Sequence, residues 1–392
     1  MHVLGHLTIE EFLRDYWQKK PVLIRQAIQD FAPLLAADEL AGLSLEDDIE
    51  SRLIIEEGKT GPWEVKKGPF TETDYRDLPH NKWTLLVQAV DQWVPEAAEL
   101  LEHFRFIPSW RIDDLMISYA TDGGSVGPHW DQYDVFLLQA EGQREWRVGQ
   151  MCSEKSSILE GPSVKILADF AETDRWVLEP GDMLYLPPGL AHWGISQGEC
   201  MTYSVGFRAP SSAELLERTV DAILPGFTQD DRYCDAALPI QASPGEITDD
   251  AAARLKAILM EALDNPALLK STLGQLMTEA KYDDIAPTFE QCDESCQKSW
   301  QKSWKETGAA LSEVDCWIRH PHARFAYSQQ GDDSAFYCQG ETSVLTSAAV
   351  PLLSLLCDQP QWTSAELLDL CQDTQSQHLL TNLLFCDLIL PS

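Results

Sequence analysis

The sequence is short of positive charge: 29 Lys+Arg stand against 63 Asp+Glu in 392 residues, a formal net charge of −34. Such a surface repels phosphate backbones and anionic membranes, and it attracts cations over about one Debye length of ~10 Å. A basic protein or peptide is the partner this charge favours, the alternative being an acidity shared by the whole proteome of the source. Long apolar runs are also missing. No stretch of about 18 uncharged apolar residues occurs, which leaves no candidate membrane-spanning helix. The opening MHVLGHLTIEEFLRDYW carries charges where a secretory leader needs an apolar run. The ten cysteines contain no CxxC pair, and the nearest two, Cys292 and Cys296, have no histidine at zinc-like spacing. A chain this long and 44% hydrophobic has little need of a disulfide framework. These absences lead to the expectation of a soluble, cytoplasmic protein of two or three domains.

What is present divides into three textures. At the N-terminus Thr8 stands three residues before Glu11, a capping box, and Phe12, Leu13, Tyr16 and Trp17 follow at helical spacing. Pro21 ends that helix and Val22-Leu23-Ile24 reads as a strand. Strand-like runs follow at 52–55 and 83–90, with helical runs at 43–51 and 95–104. From about 112 to 208 short apolar segments (115–119, 135–139, 146–148, 183–186, 201–207) alternate with Gly, Pro and Asp turns, the rhythm of a sandwich or barrel. Beyond Pro210 the pattern turns helical, with a capping box at Ser211 and Glu214 and further helices at 249–264 and 266–280. The last third, with its duplicated QKSW at 297–304, reads as hairpin pieces near 325–327 and 336–338 between helices at 347–357 and 364–373. That mixture is winged-helix-like. A winged helix usually meets DNA, but residues 281–392 hold 6 Lys+Arg against 16 Asp+Glu, with no Lys or Arg after Arg324. The expectation is a structural or protein-binding domain without direct DNA binding.

Two motifs carry chemistry. In Gly127-Pro128-His129-Trp130-Asp131 a strand would project His129 and Asp131 to one face, two-thirds of a His-carboxylate-His metal triad, and would turn Asp134 the other way. In Pro180-Gly181-Asp182 through Pro187-Pro188-Gly189 to His192, two rigid turns flank a short strand and present His192 at the start of the next. Alone, His192 reads as a satisfied core or surface histidine. Both motifs in this order, 63 residues apart, read as a metal site. His320 and His322, which flank Pro321, read as a polar loop.

HxD followed by PGDxLYLPPGxxH resembles the JmjC-type double-stranded β-helix oxygenases, and YWQKKPVLIR at 16–25 resembles the usual entry to that fold. WRIDDLMIS at 110–118, GPHWDQYDVF at 127–136 and YSVGFRAP at 203–210 resemble the bacterial ribosomal oxygenases, which hydroxylate an arginine of large-subunit ribosomal protein sixteen. The likeness is strong over the N-terminal two-thirds and weak beyond it. It implies a mixed α/β chain: a JmjC/cupin domain over 1–208 with its barrel core at about 85–208, a helical dimerisation segment at 209–280, and a winged-helix-like domain at 281–392. It implies Fe(II), 2-oxoglutarate and O2 as cofactor and co-substrates, a homodimer, and a basic large-subunit ribosomal protein as substrate.

Two histidines and one carboxylate leave three positions on an octahedral iron, which suits a bidentate keto acid and dioxygen. The distal carboxylate of 2-oxoglutarate needs a cation, for which Arg144 and Arg147 are the nearest candidates. Arg144 shares a strand face with Trp146 and Val148, so it is expected inward, and the resemblance places a co-substrate arginine here. The alternative is a surface pair with Glu141 or Glu145. Ser118 matches a co-substrate serine of the family, and Thr202 is a further candidate. For the substrate guanidinium the resemblance points to Asp113, ahead of Asp114, with Ser204 on the same side chain; the alternative is a pair of aspartates in a solvated turn. Tyr133 either lines the site or fills the barrel. Rival readings are hydroxylation of another side chain, demethylation of an N-methyl group, and a non-catalytic cupin interaction module. An intact triad with an inward arginine argues against the module.

Overall fold

The computed structural model describes residues 3–58, 61–236, 238–289 and 297–392. Cys292 and Cys296 lie outside the described residues. The chain separates into two compact units, Met1–Ala209 and Pro210–Ser392.

The first unit carries helices α1 (Ile9–Asp15), α2 (Ala37–Leu43), α3 (Glu72–Arg76) and α4 (Pro95–Leu101). Its strands are β1 (Val22–Ile24), β2 (Ser51–Gly58), β3 (Gly61–Lys67), β4 (Trp83–Val87), β5 (Ile112–Ala120), β6 (Val135–Met151), β7 (Asp174–Leu178), β8 (Met183–Leu186) and β9 (Leu190–Phe207). They form one antiparallel sheet in the order β1-β8-β6-β9-β5-β4-β2-β3, with β7 on the remaining part of β6. The Thr8 capping box is present: its hydroxyl accepts from Glu11 N–H and the Glu11 carboxylate accepts from Thr8 N–H.

The segments read separately at 135–139 and 146–148 are one 17-residue strand, because β6 runs without a turn past the polar stretch between them. It bends instead. The β6–β9 register shifts around Glu141, where Gly142 has φ +63 and packs so closely on the Glu199 carbonyl that a side chain has no room. Bulges of this kind let two long strands curl a sheet into a barrel. The helix expected over 43–51 is also corrected. Helix α2 ends at Leu43, and the run to Ser51 is turns and bends, in which the buried Ser44 donates back to the Ala41 carbonyl.

Period-two alternation sorts the strands into two faces. Phe136, Leu138, Ala140, Tyr185, Met201, Tyr203, Val205 and Phe207 join the large core beneath α1 and α4. Their neighbours Val135, Leu137, Trp146, Val148, Leu184, Leu186 and Leu190 form a separate inner cluster. A third cluster closes another part of the sheet with Ile54, Trp63, Leu86 and Ile166, and Met116 packs against it. The polar side chains described below stand on these inner faces.

The second unit opens with α5 (Ser212–Ile223), α6 (Asp249–Leu263) and α7 (Pro266–Thr278), and Ser211 caps α5 as its sequence dictates. There follow α8 (Gln297–Glu313), β10 (Cys316–Arg319), the meander β11 (Phe325–Gln330), β12 (Asp333–Cys338) and β13 (Glu341–Thr346), then α9 (Val350–Asp358), β14 (Gln361–Thr363), α10 (Ser364–Leu370), α11 (Thr374–Phe385) and β15 (Ile389–Pro391). Helix α7 is built into the meander: the Tyr337 ring occupies the space beside Gly274, and Lys270 Nζ donates to the Gln329 carbonyl at 2.6 Å. The sheet β14-β10-β15 escapes sequence reading because its outer strands are three residues long.

Candidate active site

The Gly127–Asp131 motif is not a regular strand. Between Thr121 and Asp134 the chain is a loop whose one ladder position is the bridge His129–His192. His129 N–H donates to the His192 carbonyl at 3.0 Å, and His192 N–H returns the bond at 2.8 Å. This narrow pairing brings the imidazoles side by side, with ring centres 4.2 Å apart. Asp131 reaches the same point because the Pro187-Pro188-Gly189 turn holds it: Gly189 N–H donates to the Asp131 carbonyl at 2.7 Å. Asp131 Oδ2 then lies 3.8 Å from His129 Nε2 and 3.5 Å from His192 Nε2.

Each histidine has its other nitrogen committed. Nδ1–H of His129 donates to the Gly127 carbonyl and Nδ1–H of His192 to the Leu190 carbonyl, both at 2.9 Å, which leaves the two Nε2 lone pairs facing Asp131. Burial, and then the neighbouring His129, push the His192 imidazole down to about 4, so it is neutral at physiological pH, the form that binds metal. Ligand atoms this close are reached together by one ion with bonds of about 2.0–2.2 Å. Among the described residues this is the one group of three His, Cys, Asp or Glu side chains so arranged. His320 and His322 face each other, ring centres 5.4 Å apart, and His320 Nδ1 accepts from His322 N–H.

Arg144 points inward and is 2% exposed. Nη1 donates to Ser118 Oγ at 3.2 Å and to Thr202 Oγ1 at 3.4 Å, while Trp146 lies 5.3 Å away across its ring. No carboxylate pairs with this guanidinium among the described residues, and Arg144 Nε and Trp146 Nε1 are buried without a hydrogen-bond partner. Gly194 faces them: a Cβ there would stand 2.7 Å from Trp146 Cη2 and 2.8 Å from Arg144 Nε. Arg147 behaves otherwise. It pairs with Glu145 at 2.6 Å and lies over Trp193 on the partly exposed face. A buried, unpaired cation whose own Nε and neighbouring indole N–H are both orphaned is a site for an anion, since leaving it uncompensated is costly. A keto acid with a distal carboxylate fits this donor set. Gln139, which sequence reading missed, is buried and accepts from the Thr202 hydroxyl at 3.0 Å.

The expected substrate residues divide. Asp113 is engaged by Arg208, Nε to Oδ1 at 3.2 Å. The carboxylate on the inner face of β5 is that of Asp114, which shares alternation with Met116 and Ser118 and is 3% exposed. Its Oδ2 accepts from Gln88 Nε2 at 2.7 Å and Ala89 N–H at 3.0 Å. A bulge between Ile112 and Asp114 shifts the register there. Ser204 is paired with Met116 across β5–β9 and is buried on the same side. Tyr133 is 42% exposed. Loss of water, then the charges of Asp131, Asp114 and Asp113, raise its pKa. Asp134 turns away, buried beneath Tyr185 Oη (2.6 Å) and Gln18 Nε2 (2.9 Å).

With this geometry in view, residues 99–215 match the JmjC domain family and residues 261–387 a ROXA-like winged helix. The chain is 39% identical over 282 residues to the ribosomal protein uL16 3-hydroxylase of Escherichia coli K12, covering 72% of this chain and 74% of that protein. It is 35% identical over 322 residues to a probable ribosomal oxygenase of Haemophilus influenzae, covering 79% and 77%. Among solved structures, the Escherichia coli ribosomal oxygenase YcfD in complex with cobalt and 2-oxoglutarate superimposes with a TM-score of 0.81 at 33% identity over 98% of both chains.

Replacing His129 or Asp131 by alanine is expected to abolish decarboxylation of 2-oxoglutarate while the circular dichroism spectrum stays that of the parent, since each removes one of three ligands. Near-parent turnover in both variants would remove the metal assignment.

Proposed function

The chain belongs to the JmjC-domain ribosomal oxygenases, and on that footing we propose that it hydroxylates an arginine side chain in a basic protein of the large ribosomal subunit. It is a 2-oxoglutarate-dependent dioxygenase using Fe(II) and O2. The observation that carries the reading is the buried Arg144 guanidinium, without a carboxylate partner among the described residues, in the barrel that also presents His129, Asp131 and His192. When bound, iron, 2-oxoglutarate and dioxygen supply the oxidising power that places oxygen into an unactivated C–H bond, with succinate and carbon dioxide as co-products.

The protein's own part is binding and orientation. His129, Asp131 and His192 hold the ion through the three atoms that face one another. Arg144, with Ser118 and Thr202 on its Nη1, takes the distal carboxylate in a charge-assisted bond. The inner cluster of Leu137, Val148, Leu184 and Leu186 excludes water from that bond and strengthens it. For the substrate, Asp114 and Ser204 on the inner face support recognition of a guanidinium, with Tyr133 at the opening, and position alone then selects the carbon attacked. The net charge of −34 favours approach of a basic protein.

The partner in assembly is a second copy of this chain. Leu216 and Val220 of α5 and Leu224 just beyond its end recur at four-residue spacing and are 57%, 40% and 57% exposed; in α6 Leu255 and Leu259 are 54% and 55% exposed. Two-fold pairing of these helices covers faces that this segment leaves bare. The acidic C-terminal domain serves protein contacts rather than DNA, and the place of action is the cytoplasm, where ribosomes are assembled.

Incubating the full chain with ribosomal proteins, Fe(II), ascorbate and 2-oxoglutarate should add 16 Da to an arginine of one large-subunit protein. A loss of 14 Da would support demethylation instead, and no change in any protein would contradict the reading. Arg144→Ala should raise the 2-oxoglutarate requirement far more than Arg147→Ala, because a buried charged pair contributes about 2–3 kcal/mol and a surface pair under about 1. Equal effects would show that the wrong arginine has been chosen. Light scattering at micromolar concentration should return about twice the 44.0 kDa chain mass; a monomer throughout that range would sink the dimer and leave the oxygenase standing.

A further inference from the structure

The geometry points to Trp63 and Ile166 as positioning residues for the metal site, acting through Gly127 on the ring of His129; the inference rests on His129 being a ligand. Trp63 has φ +58, in the left-handed region that a bulky side chain enters at a cost of order 1–3 kcal/mol. It stands in β3, where the pairing with β2 is otherwise regular: Ile55 is opposite Glu64 and Glu57 opposite Pro62, but the ladder skips Trp63 itself. Glu56, its would-be partner, donates its N–H to the Lys82 carbonyl instead.

The twist turns the indole inward. Trp63 is 8% exposed, packed with Ile54, Leu86 and Ile166, and its Cη2 and Cζ3 lie 3.3 Å from where a Cβ of Gly127 would be. Ile166 Cδ1 comes closer still to the same position. Gly127 has φ +81, so glycine is required there twice over, by the backbone and by its two neighbours.

Gly127 is the residue whose carbonyl receives Nδ1–H of His129 at 2.9 Å. The direction of that carbonyl sets the rotation of the imidazole, and hence where Nε2 aims. The other bonds in the stretch fix its ends but not this carbonyl: Gly127 N–H donates to Ser125 Oγ at 3.0 Å, and Leu167 N–H donates to the Pro128 carbonyl at 2.8 Å. Trp63 and Ile166 supply the remaining constraint, from two separate excursions of the chain. Strain at Trp63 is accounted for by the need to place a flat, wide surface against the glycine.

The test measures Co(II) binding to the full-length chain without co-substrate or substrate, by titration and by the visible absorption band of the bound ion, alongside the melting temperature of the metal-free protein. Trp63→Ala and Ile166→Ala should each weaken Co(II) binding by about 10–100-fold and shift the band, the range typical of residues that orient a metal ligand. Trp63→Phe should recover most of both. If Trp63→Ala does not fold, Ile166→Ala decides. Variants that melt earlier but bind Co(II) with the parent affinity and spectrum would overturn the positioning role. A His129→Ala control that binds Co(II) as tightly as the parent would overturn the ligand assignment beneath it.

Discussion

A guanidinium sealed in a barrel with no carboxylate among the described residues to pair with it is the constraint on which the first unit is built. Arg144 is 2% exposed and rests on two hydroxyls, Ser118 and Thr202, from two different strands. Hydroxyls can solvate a cation but cannot neutralise it, so the site gains most when an anion enters. Gly194 withholds a side chain where Arg144 Nε and Trp146 Cη2 already approach, and Gln139 draws the Thr202 hydroxyl proton to itself, so that the oxygen's lone pairs face Arg144. The bend of β6 beside Gly142 is what allows one strand to carry both Leu137 and Arg144 on the interior despite the register shift between them.

The three candidate metal ligands are held by a different device, two irregular segments that lock onto each other. The loop bearing His129 and Asp131 and the turn leading to His192 have almost no ladder of their own, yet the reciprocal His129–His192 backbone pair and the Gly189–Asp131 bond join them. Loops gain precision when rigid elements support them. Here the support comes from β6, which pairs Val148 with His192, and from the proline pair before Gly189. The outcome is three potential ligand atoms, of His129, Asp131 and His192, within 4.8 Å of one another.

Much of this was legible in the sequence, for physical reasons that differ by residue. His129, Asp131 and His192 meet as the two motifs imply, because turn-forming Gly and Pro mark where the chain reverses, even though the segment around His129 is a loop and not the strand its spacing implies. Arg144 was placed inward because two-residue alternation with Trp146 and Val148 survives locally. Alternation assigns no face to Asp113 and Asp114, since a bulge adds a residue without a sequence signature and Arg208, 95 residues away, engages Asp113. Gln139 and Trp63 were illegible for the same reason: their roles depend on partners from distant strands. The short outer strands β14 and β15 carry too few residues to show a period at all.

Arg144 is proposed to read the distal carboxylate of 2-oxoglutarate. The most direct measurement is calorimetric titration of the Co(II)-loaded protein with 2-oxoglutarate and, separately, with 2-oxobutyrate, which keeps the metal-binding keto acid but lacks that carboxylate. A buried charge-assisted pair of about 2–3 kcal/mol predicts that 2-oxoglutarate binds roughly 30- to 150-fold more tightly. Equal affinity of the two keto acids would contradict the account.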